Sequence, residues 1–408
     1  MEENNSINKK KIITKLFTQY KIQLIADLDS ISISIENNLD KYESTFNFEY
    51  LHKLFIGKDT IEHIIEFISV LIEHKNIQIK ENQINLKLIL IPTIFNNTYI
   101  ELILNKIYKM KMIKSIYTNN NCVYSVSSFP SGNIVSVSND KSIKIYNMDF
   151  NIIQIILNAH EKGILYVHII NENNFITCSK DKSIKFWIKK KINNSYQFEI
   201  KQIIQNAHNN WINKVINYQN KYVISCSNDK TVKIWEQINN NYQVISILKH
   251  EGWVNSVMLL EQKNILISSG GDGTKLWNYN EINNINLIKE FKETFCGWNQ
   301  GLCRLNHDII IVKENGTTSL KLISISKKEI IKTIDNPFQC WGISLIEGKG
   351  IFLIGGLSKD IRIYRNDNYE YVGEIKDAHD DYISGFIELK NGTIASFSND
   401  KTIKIWSF

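Results

Sequence analysis

Histidine, hydroxyl and carboxylate recur together in this 408-residue sequence at a nearly fixed spacing. His160, His208, His250 and His379 precede Asp181, Asp229, Asp272 and Asp400 by 21, 21, 22 and 21 residues. Each interval carries a hydroxyl four residues before its aspartate: Thr177, Ser225, Ser268 and Ser396. Nucleophile, base and acid are the apparatus of acyl transfer. Catalysis, however, needs one exposed constellation with an oxyanion hole, and these sets repeat at a structural period. No G-x-S-x-G turn accompanies them. The repetition points to architecture, and no enzyme is expected.

Other candidate chemistry is thinner. His52, His63 and His74 recur every eleven residues, three helical turns apart if helical, too far to share one ion; no metal site is expected. The six cysteines (Cys122, Cys178, Cys226, Cys296, Cys303, Cys340) form no C-x-x-C pair and are expected as free thiols. Gly270-Gly271-Asp272-Gly273 lacks the Lys-Ser/Thr and following helix of a phosphate loop and is expected as a strand turn. No cofactor is expected.

Elements that position the polar sets follow from the same copies. Each aspartate precedes a tryptophan, Trp187, Trp235, Trp277 or Trp406, by 6, 6, 5 and 6 residues. Asn-Asp-Lys supplies turn chemistry, and Ile184-Lys185-Phe186 or Ile403-Lys404-Ile405 alternates at the period of a strand. Such strand lysines, with Lys144, are expected to face solvent. Three weaker copies end at Tyr146, Ile323 and Tyr364, which brings the total to seven. The longest interval between copies holds a polar insertion, Lys189–Ser195, expected as an extended loop.

These repeats resemble the WD40-repeat family over about 300 residues. The resemblance implies a mainly β chain built as a seven-bladed propeller, four antiparallel strands per blade. It also implies buried hydrogen-bonded tetrads: His160, Thr177, Asp181 and Trp187; His208, Ser225, Asp229 and Trp235; His250, Ser268, Asp272 and Trp277; His379, Ser396, Asp400 and Trp406. Blades one, five and six carry no tetrad histidine, their equivalents falling near Asn119, Cys296 and Pro337, and are expected to rely on apolar packing. Partners in this family commonly dock on the face whose loops precede the innermost strands. There Trp211, Trp253 and Tyr382 lie three residues after their histidines, with Trp298 and Trp341 expected near the same point; these five are the expected partner-binding residues. Lys111–Thr118 is expected to complete the last blade.

Residues 1–19 are expected as a polar tail, 20–108 as a small α+β domain and 109–408 as the propeller. In the middle zone, Tyr20–Asp29, Ser30–Ile35, Ile77–Ile79, Ile84–Ile91 and Ile100–Leu104 read as strands. Asp59–Lys75 reads as an amphipathic helix. The net charge of +6 is too small in a chain of this size to argue for nucleic acid, so no nucleic-acid partner is expected. No apolar run reaches membrane-spanning length. The expected role is a non-enzymatic scaffold binding one or more proteins or peptides on the propeller face; the alternative is a substrate-receptor or adaptor subunit, as in a ubiquitin ligase or signalling assembly. Without an export signal a cytoplasmic location is expected, a nuclear one being compatible.

Overall fold

A computed structural model describes residues 110–408 apart from 118–120, 194, 283 and 297–300, and the backbone of seven strands between residues 11 and 106. The chain divides into two units, Met1–Lys109 and Met110–Phe408.

In the first unit the described strands are β1 (Lys11–Phe17), β2 (Tyr20–Ala26), β3 (Ser30–Glu36), β4 (Lys41–Asn47), β5 (Ile77–Glu81), β6 (Asn85–Leu90) and β7 (Ile100–Lys106). They form one antiparallel sheet in the order β1-β2-β3-β4-β7-β6-β5. Strand β1 occupies part of the expected polar tail, because its seven residues pair in full register with β2, Lys11 against Ala26 through Phe17 against Tyr20. The expected helix over 59–75 lies outside the described residues, as do His52, His63 and His74.

The second unit consists of seven antiparallel sheets, the blades of a propeller. Blade 2 is representative: Ile164–Asn171 innermost, then Asn174–Ser179, Ile184–Ile192 and Ser195–Ile204 at the edge. The second strand is buried on both faces, while the outer strand faces solvent. A single blade cannot bury its apolar faces, so neighbours stack. One core cluster joins Val135 and Ile143 of blade 1 to Val167 and Trp187 of blade 2; another joins Ile234 of blade 3 to Val257 and Trp277 of blade 4. Blades 5 and 6 place Val312 and Ile354 on the strand that carries Thr177 in blade 2, and Phe352 stacks on Tyr364 with centroids 5.2 Å apart. Apolar packing there substitutes for the polar sets.

Ring closure comes from the start of the unit. Thr402–Ser407 pairs antiparallel with Lys111–Tyr117, Thr402 against Tyr117 and Ser407 against Lys111, so blade 7 is made from both ends of the repeat region.

One expectation about loops is corrected. Lys189–Ser195 continues the strands as a hairpin, with Lys189 paired to Phe198 and Ile192 to Ser195. Asparagine tolerates the positive φ such a turn needs: Asn193 sits at +46°, and the matching turn of blade 3 has Asn239 and Asn240 at +49° and +63°.

Candidate functional site

Four blades carry a closed hydrogen-bond chain. The indole Nε1–H of Trp187, Trp235, Trp277 and Trp406 donates to the hydroxyl of Thr177, Ser225, Ser268 and Ser396 at 2.8, 2.9, 2.7 and 2.7 Å. That oxygen lies 2.8, 2.8, 2.6 and 2.6 Å from Nε2 of His160, His208, His250 and His379. Nδ1 of each imidazole lies 2.9, 2.9, 2.6 and 2.7 Å from Asp181, Asp229, Asp272 and Asp400. One proton arrangement satisfies every atom: indole N–H to hydroxyl oxygen, hydroxyl hydrogen to Nε2, and Nδ1–H to carboxylate. The network therefore assigns a neutral imidazole protonated at Nδ1. All four hydroxyls are fully enclosed, so none can meet a substrate as a nucleophile.

Each aspartate also fastens a loop. Its carboxylate accepts the backbone N–H of the residue after the histidine: Glu161, Asn209, Glu251 and Asp380, at 2.8 to 3.0 Å. Ser183, Thr231 and Thr402 donate hydroxyls to Asp181, Asp229 and Asp400 at 2.6 Å, partners not anticipated from the sequence. The D-K-[ST] spelling that encodes them is present in all three. The tetrad thus ties the loop entering each blade to the turn between its second and third strands.

Burial holds the four histidines below their usual 6.5, outweighing the neighbouring aspartates. Burial raises the aspartates, but donated hydrogen bonds overcome it and hold them below 3.8. Both shifts have the same sign for stability. A depressed folded pKa means protonation favours the unfolded chain, so the contribution is complete above 6.5 and drains as pH falls, first through the imidazoles and then, below 3.8, through the carboxylates. Urea midpoints measured between pH 7.5 and 3.5 should fall steadily on the acid side; a flat profile would contradict the neutral assignment.

The strand lysines are not simple solvated charges. Nζ of Lys185, Lys233 and Lys404 donates at 2.8 Å to the carbonyl of Ala159, Ala207 and Ala378, the residue before each tetrad histidine. Burial lowers the Lys144 amine. The expectation of solvent-facing charge is corrected because the incoming loop folds over the strand and presents a carbonyl. Lys404→Glu should therefore destabilise by about 1–3 kcal/mol, placing an acceptor against an acceptor; an unchanged melting temperature would show the contact to be incidental.

Above the tetrads lies the rim. In every blade a backbone N–H on the turn after the second strand donates to a loop carbonyl, and this contact sets the register. The carbonyls belong to Cys122, Gly163, Trp211, Trp253, Glu293, Gln339 and Tyr382 in blades 1 to 7. Trp211, Trp253 and Tyr382 therefore hold equivalent positions. Trp253 is 52% exposed and Tyr382 37%, while Trp211 is half-buried. Trp341 is displaced from its expected point. It lies two residues beyond Gln339, at a bulge in the innermost strand of blade 6, and packs edge-on against Tyr382 with centroids 5.1 Å apart. Trp298 lies outside the described residues.

Repeats, tetrads and a closed seven-blade ring together define a class: the chain carries WD40 repeats arranged as a β-propeller. The family described as WD domain, G-beta repeat matches residues 110–147, 151–187 and 200–236. Lissencephaly-1 homolog 1 of Paramecium tetraurelia is 33% identical over 135 residues, 31% of this chain. The chain spans only 32% of that relative. Among solved structures, the WD40 beta propeller domain of Doa1 is similar with a TM-score of 0.60 at 18% identity, over 73% of this chain and 97% of that one. At that identity the likeness is one of fold.

The five buried cysteines, Cys178, Cys226, Cys296, Cys303 and Cys340, have thiols pushed up by burial, and Cys122 is partly exposed; none of the six is in a disulfide. Among the described residues no cluster of three or more metal-ligating side chains occurs, and no helix is long and apolar enough to cross a membrane.

Proposed function

We propose that the chain is a non-enzymatic interaction scaffold that grips a protein or peptide on the rim carrying Trp211, Trp253, Trp341 and Tyr382. Propellers of this class are generally protein-interaction platforms. The observation that carries the reading is an indole, Trp253, left 52% exposed on a loop whose neighbouring residues are locked by a buried tetrad. Rigid, exposed aromatics contribute area at low entropic cost and are favoured interface anchors. Trp253→Ala should leave the circular dichroism melt within about 1 °C and weaken capture of bound proteins by tenfold or more, a loss of about 2 kcal/mol. Capture that persists unchanged, with the fold intact, would remove the rim from the reading.

The two-unit layout favours a second reading, an adaptor or substrate receptor in a larger complex, with residues 1–109 engaging other machinery. Affinity capture with the full chain and with residues 110–408 separates the two. Partners lost only with the first unit support the adaptor.

A further inference from the structure

Blade 2 breaks the pattern of the rim. Where blades 3 and 4 place Trp211 and Trp253, it has Gly163, which packs so close to Asn139 that an added Cβ would sit 2.4 Å from the side-chain oxygen. On the facing turn, the position held by Asn139, Asn228 and Asn399 in blades 1, 3 and 7 is Lys180. It is the one charged side chain among the seven equivalent positions. In blade 3 the corresponding asparagine is bonded within its own blade, by Asn213 Nδ2 at 2.7 Å. Blade 2 has the apolar Leu165 at that bulge, so Lys180 reaches across to blade 1 instead.

Its ammonium is held in a defined place. Nζ donates to Asn139 Oδ1 at 2.9 Å and to the Tyr124 hydroxyl at 3.2 Å. The Tyr124 and Trp211 rings flank it at 4.9 and 4.8 Å from their centroids. An ammonium has three donors, and two are engaged. Among the described residues Lys180 forms no ion pair, although the residue is largely covered by the protein and burial lowers its pKa. Burial also pushes the Tyr124 hydroxyl up to about 12, so it keeps a proton to donate. Lys214, 8% exposed on the innermost strand of blade 3, is a second cation without an ion pair among the described residues; its amine meets only the Ser256 hydroxyl at 3.2 Å and the Tyr166 ring at 5.3 Å. A desolvated cation without an anion is an incomplete arrangement.

We infer that the Lys180–Tyr124–Trp211 clamp takes the carboxylate of an aspartate or glutamate in an acidic peptide segment of the partner. This rests on the rim being the docking face. One carboxylate oxygen accepts the third Lys180 N–H, the other accepts the Tyr124 O–H, and the side-chain methylenes lie against the Trp211 ring. A carboxylate fits better than a phosphate. The clamp offers one cation and a neutral hydroxyl, whereas a phosphate dianion favours forked guanidinium donors, and the only arginines, Arg304, Arg362 and Arg365, lie in blades 5 and 6.

The test is an array of dodecapeptides with each position fixed in turn as Asp, Glu, Asn, Gln or phosphoserine, probed with the labelled full chain. The wild type should prefer Asp or Glu over the matching amide at one position by about tenfold, the scale of a charged hydrogen bond. Lys180→Met should reduce that preference to about twofold or less, while Lys180→Arg and the exposed Lys141→Met retain it. Thermal melts of all variants confirm the fold. Capture sensitive to Trp253→Ala but without acid preference would overturn the clamp and leave the rim reading standing. Acid preference unchanged in Lys180→Met, or phosphoserine preferred over glutamate, would also overturn it. If the wild type bound no peptide at all, both readings would fall.

Discussion

Replacing Lys111–Tyr117 in the full chain by seven alternating serines and glycines should lower the propeller's melting temperature by roughly 10 °C. The strand contributes little apolar burial, since only Ile116 is partly covered, against the core cluster shared by blades 1 and 7. Its contribution is the backbone ladder to Thr402–Ser407, together with Lys114 Nζ donating at 2.7 Å to the Asp149 carbonyl of the next blade. Losing about five ladder bonds at about 1 kcal/mol each removes roughly 5 kcal/mol, and in a domain of this size each kcal/mol moves the midpoint by about 2 °C. The loss also exposes the unpaired edge of Thr402–Ser407, so the variant should aggregate on heating. Scanning calorimetry that gave a midpoint within about 2 °C of the wild type would mean the ring closes without this strand.

His208→Ala should cost about 2–4 kcal/mol. It deprives Asp229 Oδ2 of the Nδ1–H, leaving the Asn209 N–H, and strips the Ser225 hydroxyl hydrogen of its acceptor. Both sites are enclosed, so water cannot restore the bonds without opening the blade. His307→Ala makes the control, because that ring is exposed, and should cost under about 0.5 kcal/mol. Urea titrations giving equal losses would remove the tetrad from its structural role. The substitution should also weaken ligand capture through Trp211 more than through Trp253, since it releases only the blade 3 loop.

Fold and tetrads were legible for one physical reason. A buried polar set tolerates little change of spacing, because one displaced donor strands its partner, so the intervals of His208, Ser225, Asp229 and Trp235 recur to within one residue in every intact copy. Ring closure was legible because the last copy lacked a fourth strand. The rim was harder to read. Trp341 has no tetrad histidine to set its register, and the bulge that carries it leaves no mark in composition. The hairpin at Lys189–Ser195 was hidden by polarity, since asparagines that suit a tight turn also spell a loop. Alternation placed Lys404 on the outward side of its strand but could not show the Ala378 carbonyl lying over it.

The closure strand has a mechanical consequence. Lys111 and Ser407 face each other at one end of the pairing, and Tyr117 and Thr402 at the other. Tension between Lys111 and Ser407 therefore loads the ladder bond by bond from that end, as in peeling, instead of shearing all bonds at once. Peeling geometry yields at low force and reseals readily when released. Load drawn through the chain at Met110 would open blade 7 first, ahead of the tetrad-locked sheets of blades 2 to 4.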